Sequence, residues 1–224
     1  MMEKTEELTE KITNLEWGMF HTVSNAGGKA SCQEDPDTFL AMRKSQMMSW
    51  GENLLESYLA DLEQAKRENR NLLSEKYARM MRYTHPGEYE LLKDKLPPLG
   101  SEMPGLIGRI MEIVLGWEKE LLLKYPHLLY HGRPVYSAED SAFVTSVETY
   151  MRGELATYST KTLELYYKIV LEQKEAGING SEVILDNIAK SRGFSSAADV
   201  EKHIAGAMSR GTARERRPKK DGEK

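Results

Sequence analysis

The chain has 224 residues, 40% hydrophobic and 29% charged, with a net charge of −4 and a mean hydropathy of −0.58. That is enough sequence for one domain with a substantial core; it leaves no apolar run long enough for a membrane span and gives no overall basic surface to hold nucleic acid. Cys32 is the one cysteine, which excludes an intrachain disulfide and a thiolate-rich metal site, and residues 1–10 are acidic and polar where a secretory signal needs a basic start and an apolar run, so a cytoplasmic protein is expected.

Leu8, Ile12, Leu15, Met19 and Val23 recur at steps of three and four and predict a first helix, with Glu6, Glu7 and Glu10 near the end that its dipole makes positive. It stops before Asn25-Ala26-Gly27-Gly28. Asp35-Pro36 then supplies an N-cap and a first-turn proline for a long helix towards residue 68, roughly 50 Å if unbroken, with Gly51 as a place for a bend. A helix over 72–83 ends at His85-Pro86-Gly87. Leu96-Pro97-Pro98-Leu99-Gly100 is a stiff connector, after which Ser101 is expected to cap a helix carrying Leu106, Ile110, Ile113, Val114, Trp117 and Leu121 and stopped by Pro126. Beyond a loop at His131-Gly132-Arg133-Pro134, a second long helix is predicted over 139–176, closed by Gly177, followed by short helices over 181–191 and 196–208. No strand alternation interrupts this pattern, so the expected fold is an all-α helical bundle formed by residues 1–209. In residues 210–224 nothing apolar is larger than Ala213, and Arg210, Arg214, Arg216, Arg217, Lys219, Lys220 and Lys224 oppose Glu215, Asp221 and Glu223; a disordered basic tail is expected there.

The two predicted long helices resemble each other. Placing Met42-Arg43 on Met151-Arg152 also aligns Leu54 with Leu163, Tyr58 with Tyr167 and Leu62-Glu63-Gln64 with Leu171-Glu172-Gln173, without a gap. Helices rich in Leu and Glu align easily, which is one explanation. The other is an internal duplication, which implies a bundle with pseudo-two-fold symmetry whose long helices face each other.

His127 and His131 are four apart but are flanked by Pro126 and Gly132, and no Glu-x-x-His or His-Glu-x-x-His pattern occurs; neither a metal nor a cofactor is expected. Gly27-Gly28-Lys29-Ala30-Ser31 lacks both the earlier glycine and the preceding strand of a phosphate-binding loop. What remains there is a glycine-rich loop of Gly27 and Gly28 with Cys32 just ahead of a helix, a candidate anion-binding or reactive-thiol loop, with a packing cysteine as the alternative. On the first long helix Arg43, Gln46, Trp50, Asn53, Ser57 and Asp61 share a stripe, and a solvated face accounts for the last three. Arg43, in early turns where the dipole opposes a cation, needs a compensating group. On the second, Glu148 and Arg152 stand in the favourable i, i+4 order beside Tyr158. Arg43 and Arg152 hold equivalent places in the alignment, so they are expected to converge on one polar cavity with Gln46, Trp50, Glu148 and Tyr158, suited to carboxylate or phosphate.

Several blocks carry a resemblance to a known family: Glu16-Trp17-Gly18-Met19-Phe20, Asn25 to Gln33, Met42-Arg43-Lys44-Ser45-Gln46, Glu75 to Met81, and Glu148 to Tyr166. Over residues 16–198 the chain resembles the bacterial family Domain of Unknown Function 4125. The resemblance implies no established activity; some relatives carry a nucleotidyltransferase-like domain, which is not expected in residues 1–224. Two functions stay open: an enzyme or binder of a small anionic molecule, and a non-catalytic accessory or protein-interaction module, with a nucleotidyltransferase-like protein as one partner. A homo-oligomer is a further option, and neither a membrane nor a specific nucleic acid is an expected partner.

Overall fold

The computed structural model describes residues 2–24, 28, 31–130 and 132–215, apart from the side chains of 2, 31, 32 and 210–215. Among the described residues every regular element is helical. In chain order they are α1 (Met2–His21), a 3-10 turn (Ser31–Glu34), α2 (Pro36–Met47), α3 (Glu52–Arg67), α4 (Leu72–Thr84), α5 (Pro86–Leu92), a 3-10 turn (Lys93–Lys95), α6 (Met103–Lys124), a 3-10 turn (Ser137–Glu139), α7 (Val147–Leu155), α8 (Thr160–Glu175), α9 (Gly180–Ser191) and α10 (Ala197–Glu215). No described helix is long and apolar enough to cross a membrane. Residues 216–224 of the expected basic tail lie outside the described residues, and α10 continues through Glu215.

Neither of the two predicted long helices is continuous. The first breaks at residues 48–51, where the Trp50 N–H donates to the Met47 carbonyl at 2.9 Å and Gly51 is extended ahead of α3. The second starts only at Val147 and breaks at residues 156–159; Ser146 and Ser159 cap its two parts by accepting from the N–H groups of Thr149 and Thr162. Each break delivers an aromatic side chain to the core. Trp50 and Tyr158 are buried, 6.3 Å apart in an edge-on arrangement, and Trp50 is likewise edge-on to Tyr58 and Tyr166. The second joint is tied to α3, because the Ser159 N–H donates to Asp61 at 2.9 Å and the hydroxyls of Ser57 and Thr162 meet at 2.8 Å. The stripe of Ser57 and Asp61 is therefore an internal contact, whereas Asn53 is exposed.

Other boundaries follow proline chemistry. Pro86 does end α4, but it also opens α5, since a proline in a first turn lacks an N–H that would be unpaired there anyway. The same logic places Pro104 at the start of α6; Ser101 does not cap that helix, and Glu102 precedes it without a side-chain cap bond.

The packing scheme has a regularity of its own. α1 packs on α2, α3 and α4, and α6 packs on α7, α8 and α9, while α3 lies against α8. The fourth helix of each set crosses over, α4 onto α7 and α9 onto α2. Both crossing helices start alike. Asn71 caps α4 and donates from Nδ2 to the Met19 carbonyl of α1 at 2.8 Å; Asn179 caps α9 and donates to the Trp117 carbonyl of α6 at 3.1 Å. Ile12, Met47, Leu54, Leu55, Leu62, Ile110, Met111, Leu155 and Leu163 fill the shared core.

Candidate functional site

Arg43 points from α2 into the core, where it is buried. Its Nε donates to Glu16 Oε2 at 2.8 Å and its Nη2 to Glu16 Oε1 at 2.5 Å, a two-pronged pair with α1. Its Nη1 donates to Gln46 Oε1 at 2.6 Å and to Glu154 Oε1 of α7 at 2.9 Å. Lys76 of α4 completes the cluster, donating to Glu154 Oε2 at 2.6 Å with its ammonium 3.4 Å from the Tyr150 ring centre. Tyr58 donates to Glu16 Oε1 at 2.6 Å and Tyr158 to Glu154 Oε1 at 2.9 Å.

The charges within this cluster cancel: two carboxylates, Glu16 and Glu154, face two cations, Arg43 and Lys76. Burial alone would raise the Glu154 carboxyl, but Arg43 and Lys76 outweigh it and hold it well below the usual carboxylate range. Burial would likewise weaken both cations, and the carboxylates outweigh it; Arg43 and Lys76 are both raised. Burial, then the neighbouring carboxylate, pushes the Tyr58 and Tyr158 hydroxyls up, so both stay protonated as donors. Arg43 is thus held by the protein's own side chains, and the cluster joins α1, α2, α3, α4 and α7.

The expected two-arginine cavity does not form. Arg152 donates from Nε to Glu148 Oε1 at 3.0 Å, and Glu148 accepts the Ser137 N–H at 3.0 Å. The Arg152 side chain is one-third exposed. The reason is helical geometry: Glu154 lies two residues, about 200°, beyond Arg152 on α7, so when Glu154 faces Arg43 the arginine faces away. Of the residues read from the sequence, Arg43, Gln46 and Tyr158 meet in the buried cluster. Trp50 and Gln46 also line an apolar cavity, and Glu148 and Arg152 stand apart.

Arg152 instead lines a cavity of about 220 Å³ between α4, α5, α6 and α7, together with Arg79, Arg82, Tyr83 and Tyr89. Arg79 donates from Nη2 to the Pro97 carbonyl at 2.7 Å, and its Nε is buried with no hydrogen-bond acceptor. Burial lowers the pKa of its guanidinium. Arg82 lies on the exposed side, 5.8 Å from the Tyr83 ring centre. Among the described residues no carboxylate lines this cavity.

In the glycine-rich loop, Gly28 is exposed and has a φ of +87°, in the left-handed region that favours glycine; Gly27 and the Cys32 side chain lie outside the described residues. Gln33 ties this segment to α1 by donating to the Phe20 and Val23 carbonyls, each at 2.9 Å. His127 pairs with Glu201 at 2.6 Å, and His131 lies outside the described residues. Among the described residues, no group of three or more His, Cys, Asp or Glu is placed to hold a metal ion.

The missed members of the buried cluster did leave a trace. Glu16 stands four residues from both Ile12 and Phe20, and Lys76 four from both Leu72 and Met80, charges set inside apolar stripes. Arg79 and Arg82 left none, because alone they read as a solvated basic face.

No curated protein and no solved structure matches the chain. A family profile described as "Protein of unknown function (DUF4125)" matches residues 6–202. That span contains the whole buried charge cluster and all three arginines of the cavity, and the chain belongs to the DUF4125 family.

Proposed function

We propose that this protein binds a small anionic molecule in the cavity lined by Arg79, Arg82 and Arg152. One observation carries the reading: three arginines border a single cavity with no carboxylate in its wall among the described residues, and the buried Nε of Arg79 lacks an acceptor. An unmet buried donor costs about 1–3 kcal/mol, which an incoming carboxylate or phosphate oxygen would offset. Guanidinium groups bind both anions through paired hydrogen bonds. The rings of Tyr83 and Tyr89 in the same wall suit an anion carried on a small flat organic group. A protein-interaction module has less support, because the most exposed large apolar side chains among the described residues, Leu91, Leu123, Tyr130 and Phe143, come from separate segments of the chain.

Calorimetric titration with phenyl phosphate and inorganic phosphate tests the reading. Phenyl phosphate is expected to bind more tightly than phosphate and to weaken as salt is raised. Arg79→Gln and Arg152→Gln should each weaken it about tenfold or more, equivalent to about 1.4 kcal/mol. Equal affinity in wild type and both variants would refute the site.

A further inference from the structure

A second cavity, of about 240 Å³, lies between α2, α6, α8 and α9 and shares no residue with the arginine cavity. Its wall is largely apolar and aromatic, including Trp50, Trp117, Tyr166 and Ile184, and among the described residues it contains no lysine, arginine or histidine. Among the described residues its one acidic group is Glu118, on α6. Burial pushes the Glu118 carboxyl up, against a hydrogen bond from Ser181 that works the other way. The wall is also firmly built. At Gly180 an added Cβ would stand 2.7 Å from the Trp117 ring and 2.5 Å from Gln173 Oε1, so the ring packs directly on the α9 backbone.

We propose that this cavity binds a small organic amine, its protonated nitrogen paired with Glu118 and its apolar body held among Trp50, Trp117 and Tyr166. A carboxylate drawn out of water is stabilised by an opposite charge brought to it, and indole and phenol faces attract cations as well. The wall offers an anion no such counterpart. Size narrows the choice further: about 150 Å³ accommodates a benzene ring, and drug-sized ligands take about 300–1,000 Å³. The space therefore fits one ring with a short ammonium-bearing side chain.

The test uses the full chain, with benzylamine as the cationic probe and benzyl alcohol and benzoate as its neutral and anionic counterparts, followed by tryptophan fluorescence and calorimetry. Benzylamine is expected to bind saturably, about tenfold or more tighter than benzyl alcohol, with benzoate the weakest. Glu118→Gln should erase the preference for the amine while leaving benzyl alcohol unchanged, and Ile184→Trp, which narrows the cavity, should weaken binding of every probe. Arg79→Gln should leave benzylamine binding intact, which separates this site from the anion site. The proposal is overturned if wild type binds the alcohol as tightly as the amine, if no probe binds, or if the amine preference survives in Glu118→Gln. Should Glu118→Gln fail to fold, the wild-type ranking of the three probes and the weaker benzylamine binding in Ile184→Trp decide the matter.

Discussion

Arg43 and Arg152 each follow a methionine near the middle of a helix, yet their surroundings give them opposite importance for folding. Arg43 is buried against two carboxylates, so Arg43→Ala should leave Glu16 and Glu154 underpaired and cost about 3–5 kcal/mol in urea unfolding. Arg152 pairs with Glu148 at the surface, and Arg152→Ala should cost less than about 1 kcal/mol. Similar losses from the two would contradict the placement of Arg43 as the structural arginine. The same cluster sets an acid limit. Glu154 titrates below its ordinary value of 4.5 when folded, so the unfolded chain binds the proton first, and the stabilisation is present above that value and lost as the pH falls below it. Urea midpoints measured from about pH 6 down to about pH 3 should therefore decline, and Glu154→Gln, though less stable throughout, should decline less steeply. An unchanged slope in that variant would show that Glu154 is not a source of the acid sensitivity.

At the scale of elements, the α4–α7 crossing depends on Gly153. A Cβ there would stand 2.8 Å from Met80 Cγ and 3.0 Å from the Lys76 carbonyl oxygen; the methionine can swing aside, but the backbone oxygen cannot. Gly153→Ala should push the helices apart, loosen the Lys76–Glu154 pair and cost about 1–3 kcal/mol, even though alanine favours an isolated helix by up to about 1 kcal/mol. A raised melting temperature would show the crossing to be more forgiving. Much of this level was legible in the sequence: Asp35 and Pro36 at the start of α2, Gly51 at the first break, and Gly177, left-handed, after α8. The break within the second long helix was not, because a four-residue joint leaves the apolar spacing in phase on both sides, and Tyr158 is buried there against distant elements. The candidate site divided along the same line. Arg43 with Gln46 lies within one helix and could be read there, whereas Arg43 meets Glu16 and Glu154 across 27 and 111 residues, a relation that helical periodicity does not encode.

For the whole molecule, the crossing of α4 and α9 makes each half depend on the other. A duplication whose fourth helices changed places would produce this scheme. Cutting the chain in the connector between α5 and α6 would strand Lys76 and Arg43 without Glu154 and leave α9 without α2. Fragments 1–101 and 102–224 are therefore each expected to lack a cooperative thermal transition by circular dichroism and to regain one when mixed; cooperative melting of fragment 1–101 alone would contradict the interdependence. Both cavities lie on these crossings, the arginine cavity where α4 meets α7 and the aromatic cavity where α9 meets α2. An occupant of either one therefore clasps both halves at once, and because a ligand held only by the folded form raises its melting temperature, a thermal-shift survey of small anions and amines can reveal occupants before any reaction has been assayed.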